Sequence, residues 1–222
     1  KRQLKSGSNM VQFSTSQPVR RVEDSRLVTG NGQYTDDLNL PAQVYGYVVR
    51  SSAAHALIRS VDITLAKAAP GVLGVVLGGD LTAEDSNNIP CLVPLDNSDG
   101  TKAPLPDRPV LCTDRVRHVG DNIAFVVAET STQAKDAAEL IEVDYEILNA
   151  TTDTANALST DSPQVHDEAG GNLAFDWTHG NEDATNAIFG TAANIVKLKL
   201  VNNRLTVNSM ETRAAIGDFN PN

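Results

Sequence analysis

Cysteine is nearly absent: the 222 residues contain only Cys91 and Cys112. An iron–sulfur cluster takes about four thiolates at close spacings, so the chain carries none of its own. A Cys91–Cys112 disulfide is unexpected where no charged-then-apolar leader is present. Histidine is also scarce: His55, His118, His166 and His179 show no HxxH or HxxxH spacing, which argues against a zinc or other structural metal site. No apolar run approaches the ~20 residues of a membrane span. Basic residues are outnumbered, 18 against 28 acidic ones, for a net charge of −10. Phosphate contacts require a basic patch, so nucleic acid is excluded as a partner. The one basic concentration, Lys1, Arg2, Lys5, Arg20 and Arg21, precedes the first acid, Glu23. Lys1 to Asn9 is read as a polar tail, native or left by expression, rather than a nucleic-acid arm.

What the chain does have is a hydrophobic content of 41%, ordinary for a sequence that buries a core. Its most legible part is RHVGDNIAFVVAETSTQAKDAAELIEVDYE, Arg117 to Glu146. Ile123, Phe125 and Val127 share one face of an extended run, and Ala124 and Val126 keep the other face apolar, as in a strand covered on both sides. Thr130 stands three residues before Gln133, the spacing that satisfies free amides at a helix start. Ala134, Ala137, Ala138 and Ile141 then recur at helical spacing and give a small apolar face suited to close packing on a sheet. Val143 and Tyr145 open the next strand. If the two strands are parallel, the unit is a right-handed strand–helix–strand crossover; the short join also permits a different crossing.

Elsewhere, strands are expected over Val44–Val49, Ile58–Ile63, Val110–Cys112, Ile195–Val201, Leu205–Val207 and Ala214–Phe219, and a buried strand over Val72–Leu77. Short helices are expected over Leu65–Ala69, stopped by Pro70 and Gly71, and from an Asn181 cap through Phe189. Gly78–Gly79–Asp80 reads as the start of a loop, and residues 85–109 as an irregular Pro-rich stretch. Asp96–Gly100 echoes part of a calcium loop but lacks its spacing and its bidentate glutamate, so a turn is expected. Gly30–Asn31–Gly32 and Gly120–Asp121–Asn122 are likewise read as turns rather than anion cradles. Arg50, His55, Arg59 and Asp62 are read as polar groups closing turns and strand ends.

Several stretches carry a resemblance when taken together and in order. They are RVEDSRLVTG from Arg21, continuing as NGQYTDDLNLP to Pro41; VVRSSAAHALIRSVD; APGVLGVVLGGDL; VRHVGDNIAFVVAET; and VNNRLTVNSMETRAAIGDF, ending at Phe219. In these the chain resembles the N-terminal part of the large subunit of the molybdenum hydroxylases, the family of xanthine dehydrogenases, aldehyde oxidoreductases and aerobic carbon monoxide dehydrogenases. The resemblance implies an α+β architecture. In it an α/β hammerhead domain over residues 22–148 follows a tail over 1–21, and residues 149–222 form a connector and the first strands of a molybdenum-cofactor-binding domain.

The resemblance also implies a function for the complete subunit: oxidation of an aldehyde, purine, N-heterocycle or carbon monoxide with water-derived oxygen. Electrons would pass to iron–sulfur and flavin subunits or domains. The molybdenum–pterin cofactor belongs to the complete enzyme, is not expected on this chain alone, and needs the remainder of the large subunit; the expected compartment is the cytoplasm. One residue is carried over as a substrate contact: Glu211, in Met210–Glu211–Thr212. The plainer reading of Glu211 is an ion pair with Arg213 or Arg204. A second class of function also stays open, a non-catalytic binding or assembly module with a hammerhead-like fold. An exposed apolar patch after the last strand would favour the enzyme-subunit reading.

Overall fold

The computed structural model describes residues 21–203 and 205–219; Lys1 to Arg20, Arg204 and Asn220 to Asn222 lie outside them. Among the described residues two compact units emerge, one formed by residues up to Pro41 together with those from Leu200 onward and the other by Ala42–Lys199.

The larger unit contains two three-stranded antiparallel sheets. The first has the order β1 (Tyr45–Arg50), β5 (Asn122–Ala128), β3 (Val72–Leu77). The second has the order β4 (Arg115–Val116), β2 (Ala56–Asp62), β6 (Glu142–Ile147). Between the strands lie α2 (Thr64–Ala68), α3 (Gly78–Ala83) and α4 (Ser131–Ala138), and α5 (Glu182–Thr191) follows them.

β5 is the centre of the unit, and its alternation explains why. Ala124 and Val126 join Ala66, Val75, Ala137 and Ala138 in one core cluster, between the first sheet and helices α2 and α4. Ile123 points the other way and packs with Ala56, Cys112 and Val116, against which Val143 and Tyr145 of the second sheet lean. One face of the strand is therefore covered along its length, whereas the other is covered at Ile123 and only partly at Phe125 and Val127. Ile123, Val116 and Val126 are the largest fully buried side chains, each contributing about 1.5–3 kcal/mol by removal from water. The alanines of α4 let the helix lie close to the strands.

α4 begins where its cap predicts: the Thr130 hydroxyl oxygen accepts the Gln133 amide at 3.2 Å. The strand–helix–strand unit is not a parallel crossover, however. β5 and β6 belong to different sheets, so α4 carries the chain from one sheet to the other. β3 is an edge strand with Leu73 exposed rather than a wholly buried one.

Three further expectations are corrected. Gly78–Gly79–Asp80 opens α3 instead of a loop, because the Asp80 carboxylate accepts the Leu77 amide at 2.8 Å and closes the first turn. Val110–Cys112 is not a strand: the Asn87 side chain engages the backbone of Leu111, and the short β4 forms further on, at Arg115–Val116. Ile195–Val201 and Ala214–Phe219, together with Leu205–Val207, are not in strands. Their apolar pattern suits a sheet, but a strand exists only with a partner edge, and none is found among the described residues. Val196, Leu198, Leu200, Leu205 and Val207 are consequently exposed. The Asn181-capped helix does form, as α5, with no buried residue.

The smaller unit holds α1 (Asp24–Val28), which the sequence pattern did not announce, and a 3₁₀ turn over Thr35–Asp37. Arg26 accepts the Asn31 amide through its carbonyl as the chain turns at Gly30, φ +75°.

Candidate functional site

Glu211 lies in an irregular, exposed stretch of the smaller unit. Its Oε1 accepts the Thr35 amide at 3.3 Å. That amide is the first of the 3₁₀ turn, where no intrahelical acceptor exists. The turn is closed by Asp37, whose Oδ2 accepts the Tyr34 amide at 2.8 Å while its own amide donates to the Tyr34 carbonyl at 3.0 Å. No ion pair with Arg213 occurs among the described residues, and Arg204 lies outside them.

The residues read as structural behave so. Arg50 Nη1 donates to the Gly120 carbonyl and to Asn122 Oδ1. His55 is buried and its Nδ1 meets the Asn149 carbonyl at 2.7 Å. Arg59 pairs with Glu146 across the β2–β6 ladder. Asp62 Oδ1 accepts the Thr64 amide at the start of α2, and bonding to Thr64 holds its carboxyl below the usual range. Gly120, φ +93°, forms a turn whose Asp121 carboxylate accepts the amides of Arg117 and His118. Asn97 and Thr101 close the Asp96–Gly100 turn.

A second feature has no counterpart in the sequence pattern: a polar cleft of 440 Å³ in the larger unit. Carboxylates of Asp85, Asp107, Asp114 and Glu168 line it, with Arg117 and His166. Burial pushes the His166 imidazole below its ordinary 6.5; the Arg117 charge acts in the same sense, and Glu168, Asp121 and Asp167 oppose it. The segments that form the cleft stand far apart in the chain, so no local motif announces it.

Neither feature fits a molybdenum–pterin group. Among the described residues no three His, Cys, Asp or Glu side chains converge on a common point to hold a metal. Both cysteines are free, and burial pushes the Cys112 thiol up to about 11. Gly78–Gly79 does sit at a strand–helix junction, the setting of a phosphate cradle. A Cβ on Gly78 would meet the Leu111 carbonyl oxygen at 2.5 Å, however, and the turn already carries the Asp80 carboxylate. The space is taken by protein, and the charge there repels phosphate.

The paired sheets with α4 between their strands define an α/β hammerhead. Residues 29–149 match the family model described as aldehyde oxidase and xanthine dehydrogenase, a/b hammerhead domain. The chain is 36% identical over 205 residues to a carbon monoxide dehydrogenase large chain from Afipia carboxidovorans, covering 87% of this chain and 24% of that one. It is 31% identical over 201 residues to a nicotine 6-hydroxylase large subunit from Paenarthrobacter nicotinovorans, covering 90% of this chain and 24% of that one. A solved structure, reconstituted CO dehydrogenase from Oligotropha carboxidovorans, superposes with a TM-score of 0.61 at 34% identity, over 79% of this chain and 22% of that chain. The chain belongs to the aldehyde oxidase and xanthine dehydrogenase family of molybdenum hydroxylases. It spans about a quarter of the length of these two curated relatives.

Proposed function

We propose that this chain is the hammerhead-bearing N-terminal portion of the large subunit of a molybdenum-dependent hydroxylase or dehydrogenase. The complete subunit oxidises an aldehyde, a purine, an N-heterocycle or carbon monoxide with water-derived oxygen and passes electrons to iron–sulfur and flavin partners. The molybdenum–pterin group is held outside the residues described above. The cytoplasm is the compartment we assign; no helix among the described residues is long and apolar enough to cross a membrane. Glu211, whose Oε1 accepts the Thr35 amide, is the residue we assign to substrate.

The observation that carries this reading is the exposed apolar run after α5. Val196, Leu198, Leu200, Leu205 and Val207 are each more than three-quarters exposed. Their alternating pattern suits strands that pair with further chain, and apolar exposure on this scale marks a docking surface. Similarity to the carbon monoxide dehydrogenase large chain covers 205 residues and so continues beyond the 29–149 hammerhead.

The test is to purify the complete subunit carrying this chain with its redox partners. Molybdenum content, dye reduction with each substrate class, and transfer of ¹⁸O from labelled water to product are then measured. Bound molybdenum with dye reduction by one class supports the proposal. A soluble subunit with neither, across the whole panel, sinks it.

A further inference from the structure

We infer that residues 195–199 of one copy of this chain add antiparallel to the free edge of β6 in a second copy, so that two copies exchange strands and close a dimer. The pairing needs no cofactor and is independent of the redox role proposed above.

β6 is the outer strand of its sheet: β2 pairs with one side, and no backbone bond to the other is found among the described residues. Such an edge offers a row of amides and carbonyls to any extended segment. Its charge restricts the choice. Val143 and Tyr145 lean on the second core cluster, so Glu142, Asp144 and Glu146 share the outer, exposed face. Asp62 of β2 stands directly opposite Glu142 and adds to the negative charge. Arg59 meets Glu146, while Glu142 and Asp144 have no ion-pair partner among the described residues. Like charges side by side are destabilising, and a lysine set against them relieves the repulsion. A neutral or acidic strand is thereby refused and a basic one admitted.

Ile195, Val196, Lys197, Leu198 and Lys199 have that chemistry. They lie outside any helix or strand, and Val196 and Leu198 are exposed. In an extended segment Lys197 and Lys199 fall on one face and Val196 and Leu198 on the other. With Lys197 opposite Asp144, the antiparallel register sets Lys199 opposite Glu142 and Ile195 opposite Glu146. Both acids without a partner then gain a lysine, and the acid already held by Arg59 needs none. A parallel register would send Lys199 to Glu146 and leave Glu142 beside Ile195. Val196 and Leu198 meanwhile extend the row of Tyr145 and Val143 beside the core cluster. Within one copy the segment is not in a strand. A second copy supplies the edge, and reciprocal exchange gives a closed, self-complementary pair.

Sedimentation of the 222-residue chain tests this. The wild-type chain should form a dimer. Lys197→Glu with Lys199→Glu sets acid against acid, and Glu142→Lys with Asp144→Lys sets base against base. Each double variant should raise the dimer Kd at least about tenfold. An equimolar mixture of the two should dimerise as wild type does, because both exchanged pairings are then matched in charge. That recovery also shows that both variants fold, and pairing within a single copy cannot produce it. Lys197→Gln with Lys199→Gln, confined to an exposed segment, should weaken the dimer about threefold. A wild-type chain that sediments as a monomer overturns the inference. So does a dimer that the glutamine pair and both reversals leave unchanged, or a mixture of folded variants that stays monomeric.

Discussion

Gly78 lies against the Leu111 backbone with no room for a side chain: a Cβ there would stand 2.5 Å from the Leu111 carbonyl oxygen and 2.8 Å from Thr113 Cγ2. A carbonyl cannot yield as a flexible side chain does. Gly78→Ala should therefore destabilise the larger unit by about 1–3 kcal/mol, despite the better helix propensity of alanine. A urea melt checks it. Gly79→Ala, with nothing within 4 Å of its Cβ, should stay within about 0.5 kcal/mol of wild type.

The α4 cap should behave as a local device. Thr130→Ala removes the acceptor of the Gln133 amide and should cost about 1 kcal/mol, while Thr130→Ser should cost little. Denaturant midpoints of the two variants decide this, and equal midpoints would dismiss the cap.

These two sites also show how far the sequence could be read. The caps at Thr130 and Asn181 span three residues, so the string alone exposes them. The core face of α4, Ala134, Ala137 and Ala138, followed from the same short-range logic. Gly78–Gly79–Asp80 misled because paired glycines favour turns, whereas the deciding bond is from the Leu77 amide to Asp80. Val110–Cys112 had strand composition, but the Asn87 side chain, distant in sequence, claims the Leu111 backbone. The contact of Glu211 with Thr35 and the acidic cleft depend wholly on tertiary proximity, which no local pattern encodes. Glu211 itself was found only through the resemblance of its segment.

Acidification should weaken the fold through His166. Burial keeps its folded-state value below the ordinary 6.5, so the unfolded chain takes up the proton first as pH falls. The contribution is whole above pH 6.5, shrinks below it, and is gone once pH passes the depressed folded value. Urea midpoints between about pH 7 and about pH 5 should fall less in His166→Asn than in wild type. Parallel curves would remove His166 from the pH response.

Thiol reactivity should separate the cysteines. Cys91 is exposed, whereas Cys112 is 7% exposed with its thiol pushed up to about 11. A disulfide-exchange reagent should label Cys91 in the native chain and reach Cys112 only in denaturant. Rapid native labelling of Cys112 would mean that the second core cluster opens readily.

The strands alternate strictly between the sheets: β1, β3 and β5 build one, β2, β4 and β6 the other. No two strands adjacent in the chain pair within a sheet, so hairpin zippering is unavailable at every step. Among the described residues β1 and β3 have only β5 as a partner, and a nascent chain that has not yet reached Asn122–Ala128 holds two orphan strands of the first sheet. Loops must close over long separations before any ladder rewards them, which places the domain among slow folders of high contact order. Neither sheet can be excised as a contiguous piece.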